Sequence, residues 1–162
     1  MNQPLGEVFR YNRWANLTLL DACRVLNPAQ MQAHPPGVSG SVAELLTHLI
    51  GAQQTFILRT KGRQNEGEIG RQTPWPGLDV VVDIAKSTSD DLIEIAEGLD
   101  RDRETGLRYG GRTYNLPVSF ILTHALEHGV EHRTEVKVAL NLIGIETPDL
   151  DGWSYALARG LF

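Results

Sequence analysis

The chain runs to 162 residues and carries 20 acidic against 15 basic side chains, a net charge of -5 with a pI near 5.5. That acidity excludes a general nucleic-acid binder, which presents a basic face, and no run is long and apolar enough to span a membrane. A single domain over residues 1–162 is expected, since a chain of this length buries roughly 70% of its unfolded surface without disulfides. The lone Cys23 reads as a small core residue in a reducing compartment, and with no charged-then-apolar leader at the start a cytoplasmic location is expected.

Leu5, Val8, Phe9, Ala15, Leu19, Leu20, Ala22, Cys23 and Leu26 recur at helical spacing. They predict a first helix that stops at Asn27-Pro28, because the residue before proline avoids the helical region. Tyr11 and Trp14 fall within it and read as aromatic bulk at packing surfaces. His34-Pro35-Pro36-Gly37 is a loop, and His34 a solvated member of it. Ser41 and Glu44 have capping-box spacing, and Val42, Leu45, Leu46, Leu49, Ala52, Phe56 and Ile57 carry a second helix to about Thr60. His48, one turn from both Leu45 and Ala52, lies at the edge of its buried face.

The polar, glycine-rich stretch from Lys61 to Gly77 is a long connection. Asp79 is expected to cap a third helix with Val81, Ile84, Thr88, Leu92, Ile95 and Leu99 inside. Alternation around Gly110-Gly111, from Thr105 to Leu116, predicts a hairpin. Pro117 suits the first turn of a fourth helix that runs to about Leu142 and ends at Gly144, and Trp153 to Arg159 form a short terminal helix. The predicted fold is therefore all-α: a four-helix bundle with a long connection between helices two and three, a small hairpin before helix four and a short C-terminal helix.

Three of the five histidines, His124, His128 and His132, stand at intervals of four on the fourth helix. Val118, Ile121, Ala125, His128, His132, Val136, Ala139 and Ile143 form one row, which places two imidazoles in a core-facing stripe. Such a pair either hydrogen-bonds within the core or shares a divalent ion, and His48 on a facing helix would complete a three-nitrogen site with an open position for water or substrate. His124 and His132 are separated by about 12 Å of helix, so all three cannot bind one ion. Spacing alone does not choose between the two adjacent pairs; the stripe favours His128 with His132.

Tyr11-Asn12-Arg13-Trp14-Ala15-Asn16, Glu44-Leu45-Leu46-Thr47-His48-Leu49, His128-Gly129-Val130-Glu131-His132-Arg133 and Pro148-Asp149-Leu150-Asp151 together resemble the DinB-like superfamily of metal-dependent bundle proteins, in order and separation, over nearly the whole chain. The resemblance implies a divalent metal, commonly nickel or zinc, on His48, His128 and His132, and a homodimer. It further implies either a transferase that uses a low-molecular-weight thiol or a metal-dependent hydrolase. The chain departs from the family at Arg133-Thr134-Glu135, where Arg-Gly-Gln or Arg-Ser-Gln is usual.

The leading expectation is a thiol S-transferase or detoxification catalyst acting on a small electrophile. Arg133, or an acidic neighbour such as Glu131, would orient the substrate; the plainer alternative for both is an exposed ion pair. A hydrolase is the runner-up, and a non-catalytic metal- or ligand-binding stress protein is the reading outside enzymology. Trp75, Trp153 and Phe162 lie in or beside irregular segments, where they would cover one another or face a partner.

Overall fold

A computed structural model of the chain describes residues 3–64, 69–70 and 72–162. Its helices are α1 (Gln3–Ala22), α2 (Pro28–Met31), α3 (Val42–Thr60), α4 (Leu78–Gly98), α5 (Val118–Leu142) and α6 (Gly152–Ala158), with strands β1 (Glu104–Tyr109) and β2 (Arg112–Pro117) between α4 and α5. The chain is thus mostly helical with a small antiparallel hairpin, as the sequence predicts. α1 packs chiefly on α4, and α3 on α5 and α4, while α1 also meets α5.

Local chemistry sets the boundaries. The Ser41 Oγ accepts from the Glu44 N–H at 3.3 Å and the Glu44 carboxylate accepts from the Ser41 N–H at 2.7 Å, which is the predicted capping box. Three expected boundaries differ. Asn27-Pro28 ends the first helical segment, which closes in a 3-10 turn over Cys23–Val25, but the same pair opens α2, because Asn27 and Gln30 form a second capping box. Gly77, at φ +97°, and not Asp79, occupies the N-cap of α4; Asp79 lies in the first turn, where its charge suits the helix dipole and pairs with Arg24. Pro117 precedes α5 as the last residue of β2, and Asp102 supplies the missing cap by accepting from the Ser119 N–H at 3.1 Å. That contact, together with the Ser119 hydroxyl, holds the Asp102 carboxyl below its ordinary pKa.

Gly110 and Gly111, at φ +57° and +77°, make the two-residue turn that pairs Tyr109 with Arg112. The hairpin is fastened to the end of α3: the Thr105 hydroxyl donates to the Arg59 carbonyl at 2.9 Å and Arg103 to the Thr60 carbonyl at 2.9 Å. At the other end of the chain, α6 docks on α1 through the Tyr11, Trp14 and Tyr155 rings, so the two helix-one aromatics do serve packing.

The apolar interior divides in two. One cluster gathers Leu19, Leu20, Leu45, Leu46, Leu49, Ile50, Val81 and Val136; the other gathers Phe9, Phe56, Ile57, Leu92, Ile121, Leu122 and Ala125. Cys23 belongs to the first, 1% exposed, and burial pushes its thiol pKa up to about 12. Between the clusters, on all four long helices, lies a buried polar belt. Asn12 and Asn16 on α1 each donate to the Gln53 carbonyl oxygen at 3.1 Å, Gln53 donates to the Thr88 hydroxyl at 3.0 Å, and Arg133 on α5 donates to the Asn12 and Asn16 oxygens at 2.6 and 2.7 Å. These buried polar groups are tolerated because most of them satisfy one another, although among the described residues the Arg133 Nη2 and the nearby Ser89 Oγ have no hydrogen-bond partner.

A histidine centre between α3 and α5

The packing of α3 on α5 brings His48 opposite His128 and His132. Their Nε2 atoms, His48 to His128, are 3.2 Å apart, and the ring centroids of the three residues lie 4.2–4.9 Å from each other. One ligating nitrogen from each falls within 4.8 Å of the others, so the three form a group able to hold a metal ion. Nitrogens bound to a tetrahedral ion at about 2.0–2.1 Å stand about 3.4 Å apart, close to the separation found.

The donor chemistry fits an ion. His132 Nδ1 meets the Glu135 carboxylate at 3.0 Å, which makes it the N–H donor and leaves the Nε2 lone pair for the centre. Glu135 also accepts from the Ser39 N–H at 2.7 Å, so the loop before α3 is tied to the same group. Those hydrogen bonds hold the Glu135 carboxyl below its ordinary pKa although burial opposes them. Two facing Nε2 atoms at 3.2 Å need either a proton on one of them or a shared cation; an ion accepts both lone pairs at once.

All three histidines are half-buried, and the fully buried row of α5 passes beside them, through Ala125, Gly129, Arg133 and Val136. The predicted stripe was therefore displaced by one residue at the level of the site. Gly129 leaves room for the belt there: a Cβ on it would come within 2.8 Å of the Asn12 Oδ1 and 2.9 Å of the Arg133 guanidinium, so these side chains would have to shift. His124 is exposed, its Nδ1 3.2 Å from Glu127, and its ring packs edge-on against Phe56 outside the three-histidine group. His34 sits in its loop, facing the Val38 carbonyl.

Glu131 is exposed and makes no ion pair among the described residues. Arg133, 3% exposed, is no surface ion pair either: it crosses to α1, bonds Asn12 and Asn16, and lies over the Tyr11 ring at 5.8 Å. Burial lowers its pKa, yet a guanidinium keeps its proton in any protein interior. The signal for this burial was present in the sequence, because Asn12, Asn16, Gln53 and Arg133 occupy helical core positions while being polar.

A cavity of about 380 Å³ opens beside the centre, lined by His48 and His128 and floored by Phe56, with Arg59, Thr55 and His124 on its walls. Ile69 and Gly70 pass across Gly51 to form another wall. A Cβ on Gly51 would strike the Ile69 carbonyl oxygen at 1.8 Å, and the Ile69 N–H donates to Gln54 at 3.3 Å. Sequence reading assigned Phe56 to packing and did not single out Arg59 or Ile69.

The family model described as the DinB family matches residues 1–159. Among solved structures, a DinB-like protein of Bacillus cereus superposes with a TM-score of 0.66 at 22% identity, over 88% of this chain and 93% of its own. A DinB-like protein of Bacillus subtilis gives 0.63 at 19% identity, over 91% and 98%. At these identities the likeness is one of fold. No curated protein matches the chain.

Proposed function

Because this chain belongs to the DinB family, we propose that it is a metal-dependent enzyme whose ion, nickel or zinc, is held by His48, His128 and His132. The observation that carries the reading is the convergence of three ring nitrogens from two helices beside an open cavity. Its architecture is read as a four-helix bundle of α1, α3, α4 and α5, with the centre on one side of the polar belt.

A divalent ion with three protein ligands supplies a position at which a thiol or a water loses its proton near neutral pH. Glu135 fixes the His132 tautomer, Phe56 and Ile69 keep part of the cavity dry, and Arg133 acts as a positioning residue that sets α5 against α1. The reaction we assign is S-transfer from a low-molecular-weight thiol to a small electrophile: a C–S bond forms, the leaving group departs with its electron pair, and the thiol proton goes to solvent. The chain is read as a cytoplasmic homodimer, for which the exposed Trp153 (76%) and Phe162 (69%), 6.0 Å apart, offer a surface; an 18 kDa species alone in sedimentation at micromolar concentration removes the dimer.

The test is turnover of a model electrophile by metal-loaded protein with and without bacillithiol, mycothiol or glutathione. Thiol-dependent turnover that chelation abolishes supports the assignment. Turnover that needs the metal but no thiol contradicts it and identifies a hydrolase, and none with any thiol leaves a binding protein.

A further inference from the structure

We propose that Arg59 receives the carboxylate of a substrate whose other end meets the histidine centre, so that the cavity selects small molecules carrying a carboxylate. The half of this statement that concerns the centre rests on the metal reading above; the half that concerns Arg59 stands on its own surroundings.

Arg59 is half-buried, lines the cavity with His48 and His128, and lies over the face of Phe56 at 5.7 Å. The Phe56 ring meets the His128 ring at 5.4 Å, so the guanidinium carbon is no more than about 11 Å from the His128 ring centroid. One small molecule spans that interval. Arg10, Arg13, Arg24 and Arg159 each meet a carboxylate, whereas no described residue gives the Arg59 guanidinium an ion pair or a hydrogen bond. No Asp or Glu lines the cavity among the described residues.

The plain explanation for a cation at this position is the C-terminal dipole of α3, in whose last turn Arg59 stands. That accounts for a positive charge near the helix end and would be served equally well in solvent, where Lys61 is found. It does not account for a guanidinium laid over an aromatic face inside a cavity. There it has lost part of its hydration with no anion among the described residues in return, and burial lowers its pKa. A partly dry guanidinium presents a rigid fork of donors that a carboxylate matches with two parallel hydrogen bonds. With a cation at each end and no Asp or Glu among its described lining residues, the cavity attracts anions although the whole chain is acidic.

The experiment compares 4-mercaptobutanoate with the neutral 4-mercaptobutan-1-ol by isothermal titration calorimetry, using the full chain with its metal content measured. Wild type binds the carboxylate at least about tenfold tighter, within the range of one charge-assisted pair. Arg59→Gln removes that preference while leaving the affinity for the alcohol and the metal content unchanged, and Arg59→Lys keeps part of it. Equal affinity of wild type for the two probes, binding of neither, or an undiminished preference in Arg59→Gln overturns the proposal. Protein that takes up no metal on reconstitution yet still prefers the carboxylate would refute the metal reading alone. Metal-loaded protein without the preference would refute the Arg59 reading alone.

Discussion

Arg133 shows what a single residue does when the core around it is polar. Among the described residues its guanidinium meets no carboxylate, and its partners are the two amide oxygens of Asn12 and Asn16 and the Tyr11 ring. Replacing it by methionine keeps most of the volume but leaves both amide oxygens buried without donors, a cost of about 1–3 kcal/mol, offset in part because no charge need then be desolvated. Arg133→Met is expected to lower the urea-unfolding free energy by about 2 kcal/mol while keeping the metal content of the wild type. Unchanged stability with activity lost would instead give Arg133 a direct catalytic part. Its position was readable only in company. Taken alone, an arginine beside a histidine motif reads as solvated or as substrate-facing, and only the matching Asn12, Asn16 and Gln53 at core spacing reveal the belt.

At the scale of elements, periodicity carried the long helices, because one apolar face over five or more turns leaves little choice of partner. The ends were less legible. Gly77 displaced Asp79 at the start of α4 since a positive φ was needed to turn the chain out of the loop, and a cap residue two places on is equally good in the first turn. The strap that Ile69 and Gly70 lay over α3 was invisible in the sequence, because only tertiary contacts define it: the Ile69 carbonyl against Gly51 and the Ile69 N–H on Gln54. Gly51→Ala is expected to leave α3 helical but to drive Ile69 away, which limited proteolysis reports as faster cleavage within residues 61–77; an unchanged rate would mean that the strap adjusts in place. The docking of α6 offers a pH signature. The Tyr155 hydroxyl donates to Glu7 at 2.8 Å, and this bond is the chief reason that the Glu7 carboxyl sits below its ordinary value of 4.5. A depressed folded pKa stabilises above the unfolded value and ceases to as pH falls through the folded one. Glu7 is largely exposed, so the effect is a few tenths of a kcal/mol. Unfolding of Tyr155→Phe should therefore differ from wild type at pH 7 and converge with it as pH falls from 4.5 through the lower folded value; a gap that persists once the carboxyl is protonated would show that the hydroxyl acts through Arg159 alone.

In the whole molecule, two apolar clusters and the belt between them set α5 so that one face reaches α1 through Gly129 and Arg133 while the adjoining face presents His128 and His132 to α3. The sequence disclosed the three histidines through spacing and order, and Glu135 stands three residues from His132 on the same helix, a spacing that would have identified it as the group that orients the ring, whereas Arg59 across the cavity depends on tertiary approach and left no periodic trace. The account stands or falls on whether His48, His128 and His132 hold an ion. Elemental analysis of purified protein after reconstitution with nickel or zinc and dialysis measures this directly, together with single alanine variants of His48, His124, His128 and His132. The expected result is about one ion per chain in wild type and in His124→Ala, and near none in the other three, since two imidazoles seldom retain an ion that three were placed to hold. A metal-free wild type, or a His124→Ala protein that loses its ion while His132→Ala keeps it, would contradict the account.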